Sequence, residues 1–148
     1  MQFCTFYLGT DLFGVQVLDV QEVVRQHEIT QVPLAPQVMR GLINLRGNIV
    51  STIDMRRLLK MEPLADNSES INVITRVSSG LVSLLVDQIG DVIDAPEDRF
   101  EPVPSNLGAE VRQIITRVCK LPGNLLMILN PNRIMEFDRV KIPGVDKE

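Results

Sequence analysis

The feature that most constrains this chain is a short pattern that occurs twice. Residues 41–59 read GLINLRGNIVSTIDMRRLL. An apolar strand over 42–45 turns at Arg46-Gly47-Asn48 and returns as a strand over 49–53. Asp54 then opens a helical turn carrying Met55, Leu58 and Leu59. At an offset of 76, Leu45 falls on Leu121, Gly47 on Gly123, Asn48 on Asn124 and Ile53 on Leu129. The capping position is Asp54 in one copy and Asn130 in the other, and both residue types cap helices well. Leu58 and Leu59 fall on Ile134 and Met135. The earlier parts correspond more loosely: Val20, Val23 and Val24 meet Ile89, Val92 and Ile93 at an offset of 69. Half of a 148-residue chain is too short to bury a stable core of its own. The two halves must therefore pack closely, and short strands between turn signals favour small barrels over helical layers.

The remaining segments fit that plan. Residues 3–8 and 13–18 flank Gly9-Thr10-Asp11 as a hairpin. Asp19 with Glu22 three residues on reads as a capping pair, which predicts a short helix with Val20, Val23 and Val24 on one face. Pro36 and Gly41 bracket residues 37–40 as a single helical turn. The polar stretch 62–70 reads as a surface loop between halves. Residues 71–77 and 81–86 form another hairpin, and the apolar run 81–86 predicts a strand buried on both faces. Residues 95–108 read as a loop. The expected organisation is a single domain over 1–148, with a first barrel over 14–65, a second over 66–137 and a solvated tail over 138–148. The N-terminal strand is free to pair with the second barrel.

Composition narrows the function. The net charge of −4 argues against a nucleic-acid binder. Cys4 and Cys119 have no CxxC spacing, and His27 is the only histidine, so no zinc or haem site is expected. Both cysteines read as free thiols of a cytoplasmic protein, the alternative being one disulfide in a secreted one. The N-terminus has no signal-peptide pattern, and no apolar run reaches the roughly 18 to 20 residues of a membrane span. Phosphate loops, nucleophile elbows and zinc-protease motifs are absent. The acids between Asp87 and Asp98 do not follow the order of a calcium loop. The expectation is a protein that is not an enzyme and has no cofactor.

FYLGTDLFGVQVLDVQEVVR, ITQVP and GLINLRGNIVSTIDMRRLL resemble the CheW-like domain of bacterial chemotaxis, and LVSLLVDQIGDVI and VCKLPGNLLMILN occupy the places of its second half. The resemblance covers about residues 3–137. It implies an all-β fold with short helices, built as two intertwined five-stranded SH3-like barrels. It also implies an adaptor that couples chemoreceptor cytoplasmic tips to the CheA histidine kinase, whose regulatory domain has the same fold. A receptor helical hairpin would lie against the groove between the barrels.

Carried onto this chain, the resemblance places Val20 and Glu22 beside that groove, with Arg46 and Gly47 in the matching turn. Val23 and Val24 complete an apolar stripe suited to a receptor helix, or else belong to the core. Arg46 is solvated, pairs with Glu22, or reaches a partner carboxylate. The kinase surface is assigned only to the second half, without individual residues. Departures from the family pattern are Ser51-Thr52 where the family often has Pro in a V-P-x-x-D run, Met55 in place of leucine, and no small glycine in residues 115–118. Two other readings remain: a CheW-like adaptor in a non-chemotaxis array, and a small nucleotide binder using the groove.

Overall fold

The structure is a computed structural model and describes residues 1–25, 27–63 and 70–136. The predicted loop over 62–70 falls largely outside the described residues, and the tail over 138–148 falls wholly outside them. Eleven strands form two sheets among the described residues. One sheet has the order β8-β1-β2-β11-β10-β9, with β1 at Gln2–Leu8, β2 at Asp11–Gln16, β8 at Gln88–Asp94, β9 at Phe100–Glu101, β10 at Ile115–Leu121 and β11 at Asn124–Leu129. The other has the order β3-β6-β7-β5-β4, with β3 at Val20–Arg25, β4 at Met39–Leu45, β5 at Asn48–Asp54, β6 at Ile71–Val77 and β7 at Gly80–Val86. Three short helices follow strands or precede them: α1 at Met55–Leu58, α2 at Ala109–Ile114 and α3 at Pro131–Glu136.

The repeat is visible in this order, but the halves do not each make a barrel. The hairpin that opens each repeat pairs with strands of the other repeat. β1 and β2 join β8 to β11, while β6 and β7 join β3 to β5. The boundaries expected at 14–65 and 66–137 are corrected accordingly: the five-stranded sheet spans residues 20–86 and the six-stranded sheet takes the rest. The cause lies at two crossovers. A 3-10 turn at Val17–Asp19 carries the chain from β2 to the other sheet, and Asp87 carries it back from β7 to β8. The exchanged hairpins are then seated by parallel pairing, β7 beside β5 and β2 beside β11. These are the intertwined barrels that the family resemblance implies, with six strands rather than five in one of the sheets.

Most of the apolar core lies between the sheets. Phe6, Leu8, Phe13 and Val15 from one sheet meet Ile53, Val73, Val82 and Leu84 from the other, with Met55, Leu58 and Ile134 of α1 and α3. Smaller clusters fill each barrel: Phe3, Leu12, Cys119 and Leu126 in one, and Ile43, Leu45, Val50 and Ile74 in the other. β7 is buried from Val82 to Val86, as its almost wholly apolar run predicts, and the one polar side chain, Ser83, donates to Asn72 Oδ1 at 2.8 Å. Burial pushes the thiols of Cys4 and Cys119 up, and both are free.

Two local expectations are overturned. Residues 20–24 are a strand, and Asp19 ends a 3-10 turn with no side-chain cap. Three β-branched valines prefer a pleated strand, and pairing with β6 supplies more hydrogen bonds than one helical turn could. Residues 37–40 likewise enter β4 from Met39 onward, and Gly41 lies within that strand at a register shift. Gly41 has φ +154° and faces the segment that closes the barrel, where Thr30 and Leu42 exchange hydrogen bonds of 2.8 and 2.7 Å. A Cβ at Gly41 would overlap the Thr30 carbonyl.

Caps and turns follow the sequence closely. Asp54 accepts from the Arg57 amide at 3.2 Å, and Asn130 from the Asn132 amide at 3.0 Å. Arg46 and Gly47 have φ 52° and 91°, the two positive values of a type I′ turn.

We expect Gly41→Ala to cost about 2–4 kcal/mol, because backbone or a buried strand must shift to admit the methyl group. Gly47→Val should cost only about 1–2 kcal/mol, since nothing crowds that position and only its positive φ penalises a side chain. Urea unfolding of both variants checks the order; equal losses would contradict it. Thr52 is fully buried and its hydroxyl has no partner. Thr52→Val should therefore leave stability unchanged or raise it by about 1 kcal/mol, read from the same curves.

Candidate functional site

The site grows from the meeting of two sheet edges. β3 and β4 are the outer strands of the five-stranded sheet, and the sheet curls until they approach. Thr30 and Leu42 close one end of this seam, and Glu22 and Arg46 bridge the other. The Arg46 guanidinium is bidentate on the Glu22 carboxylate, Nη1 donating to Oε1 at 3.2 Å and Nη2 donating to Oε2. The hydrogen bond from Arg46 holds the Glu22 carboxyl below the usual carboxylate range, and Glu22 in turn raises Arg46. Asn44 Oδ1 accepts from the Gly47 amide at 2.8 Å and braces the turn from inside. The result is a fixed, exposed cation: the Arg46 side chain keeps 66% of its surface open while its backbone is locked by the turn.

Strand geometry sorts the valines differently from a helical stripe. β3 carries a register shift between Val20 and Glu22, so Val20 and Val23 oppose Thr75 and Val73, whereas Glu22 and Val24 oppose Ile74 and Asn72. Val20 packs against the core between the sheets and Val24 against the core of its own barrel. Val23 remains 41% exposed. The structure thus brings Glu22, Arg46 and Gly47 together, leaves Val23 open beside Glu22 in the strand, and uses Val20 and Val24 mainly for packing.

A second ion pair was not singled out from sequence. Arg56 in α1 grips Asp87 with Nε at 2.9 Å and Nη2 at 2.6 Å, and the Gly9 amide donates to the same carboxylate at 2.6 Å. It joins α1, the crossover between sheets and the β1–β2 turn. Burial pushes the Asp87 carboxyl up, but the bonds from Arg56 and Gly9 outweigh this and leave it below the usual range. Arg56 closes the I-D-x-R end of the family-like stretch 43–56, but nothing in the sequence ties it to Asp87, which reads equally well as a turn residue.

Among the described residues, no group of three or more His, Cys, Asp or Glu is placed to hold a metal ion, and no helix is long and apolar enough to cross a membrane. What the fold presents is a pair of interlocked barrels with a braced, charged turn at the surface. The family model of the CheW-like domain matches residues 2–139, and the chain belongs to that family. It is 22% identical to chemotaxis protein CheW of Klebsiella aerogenes, over 95% of this chain and 85% of that one. It is 26% identical to chemotaxis protein CheW of Bacillus subtilis, over 88% and 84%. The crystal structure of the scaffolding protein TtCheW from Thermoanaerobacter tengcongensis superposes with a TM-score of 0.84 at 26% identity, covering 95% of each chain.

Asp87→Asn should cost about 2–3 kcal/mol at neutral pH, since it leaves a mostly buried guanidinium without its counter-charge. A carboxyl depressed in the folded state stabilises the fold above its unfolded pKa and loses that contribution as pH falls through its lower folded value. The gap in melting temperature between wild type and Asp87→Asn should hold from pH 7 to about 5 and narrow below about 4. A gap that is the same at every pH would show that the carboxylate's charge is not what matters.

Proposed function

We propose that this chain is a non-catalytic coupling adaptor that joins chemoreceptor cytoplasmic tips to a CheA-type histidine kinase in a chemotaxis signalling array. The observation that carries the reading is the Arg46 turn. It is the one hairpin turn of the repeat that holds a charged residue in the left-handed region, and it is braced by both Glu22 and Asn44. Its counterpart in the second barrel has Pro122 in place of Arg46. Membership in the CheW-like family supports the role, as do the printed chemotaxis and scaffolding roles of its relatives.

In this reading the receptor meets Arg46, Glu22 and Gly47, with Val23 as the apolar contact and Val20 and Val24 holding β3 from behind. The kinase surface belongs to the second half of the chain. The protein works at membrane-associated receptor arrays without inserting into the bilayer.

Arg46→Glu places two carboxylates side by side at the surface. We expect a melting temperature close to that of the wild type and a several-fold loss of co-sedimentation with receptor membranes and kinase. The exchange Glu22→Arg with Arg46→Glu rebuilds the internal pair with reversed polarity. It should remain defective if the receptor reads the charge of Arg46. Full recovery in the exchange would assign the pair a purely internal role, and undiminished co-sedimentation of Arg46→Glu alone would remove the turn from the interface.

A further inference from the structure

We propose that an open pocket on the six-stranded barrel binds an acidic peptide segment of a protein partner through Arg112 and Arg133. The pocket has a volume of about 470 Å³ and shares no residue with the Arg46 turn. Its floor is Ile115, which is buried, and Val103, which is half-buried. Arg112 and Gln113 reach it from α2, Thr116 from β10 and Arg133 from α3. α2 and α3 pack on each other, so both arginines are carried by one corner of the fold.

The charge arrangement points to an outside anion. Arg40, Arg46, Arg56, Arg57 and Arg117 each pair with a carboxylate. Arg112 and Arg133 pair with none among the described residues, as do Arg25, Arg76 and Arg99; what sets these two apart is that they share one pocket, whose lining among the described residues includes no acidic side chain. A shortage of carboxylates is not the reason, because the chain has 19 acidic residues against 15 lysines and arginines. Two guanidinium forks facing one cleft suit two carboxylates, each able to accept a bidentate contact. A bare anion would leave the apolar floor uncovered. An aliphatic residue flanked by acids would cover the floor while the acids reach the arginines at the rim, and Gln113 and Thr116 could hydrogen-bond the peptide backbone.

The test is titration of isotopically labelled full-length chain with the blocked peptide Glu-Leu-Glu, its uncharged analogue Gln-Leu-Gln, and inorganic phosphate. The expected result is saturable shifts with Glu-Leu-Glu at the amides of residues 109–116, 132 and 133, weakening with added salt. Arg112→Gln and Arg133→Gln should each reduce affinity by about five-fold or more while keeping the melting temperature, since both side chains are exposed. Equal binding of Gln-Leu-Gln would show an apolar cleft only. Phosphate binding as tight as the peptide would show a bare anion site. Either result overturns the proposal, as does the absence of shifts or unchanged affinity in both variants. Receptor coupling through Arg46 does not enter this readout, so the two readings fail separately.

Discussion

The core between the sheets is the constraint on which the rest of the molecule depends. Each barrel's own interior is small, whereas Phe6, Phe13, Ile53, Leu84 and Ile134 bury one another only when both sheets are present. Exchange of the opening hairpins follows from this. A strand such as β7, buried from Val82 to Val86, can serve one barrel with one face and the shared core with the other. The crossovers must then be held, because the chain reverses allegiance there. Asp87 marks one of them, and its carboxylate is tied to α1 by Arg56 and to the β1–β2 turn by the Gly9 amide. A charge at such a place is worth its desolvation because it fastens three segments at once.

The two barrels solve the same closing problem with different chemistry. Both first hairpin strands carry the same irregularity, between Met39 and Gly41 in one and between Ile115 and Arg117 in the other. In the five-stranded barrel the closing segment comes so near that only glycine fits at position 41. In the other, β9 pairs with β10, and Arg117 at the place of Gly41 lies over the Phe100 ring at 3.9 Å and pairs with Glu97 at 3.6 Å. The missing small glycine in residues 115–118 is therefore compensated by a stacked guanidinium. Duplication has kept the interior pattern and let the seams diverge.

What could be read from the sequence was what local chemistry decides. The two hairpins and their Asp54 and Asn130 caps were legible because turn glycines and capping side chains act within a few residues. The strand at Val20–Arg25 was misread because an Asp-to-Glu spacing that suits a helix cap outweighed three valines. Only pairing with β6, some fifty residues away, resolves that conflict. The hairpin exchange is likewise non-local, and no periodicity records it. Glu22, Arg46 and Arg56 could be matched through the family pattern, while the pairing of Arg56 with Asp87 was hidden because Asp87 has an ordinary reading in its own segment.

The contrast between the two ion pairs bears on function. Arg56–Asp87 is mostly enclosed, so its removal is felt by the fold. Glu22–Arg46 stands in solvent, where such pairs add little to stability. Its effect is to restrict where the guanidinium points. The backbone at Arg46 is already confined to the left-handed region, Asn44 fixes the next amide, and Glu22 holds the head group. A cation restrained in this way loses less freedom when a partner arrives, so less of the contact energy is spent on ordering it. The second barrel, with Pro122 in the same place, presents a stiff turn and no charge. The two barrels therefore differ at their turns as well as at their seams.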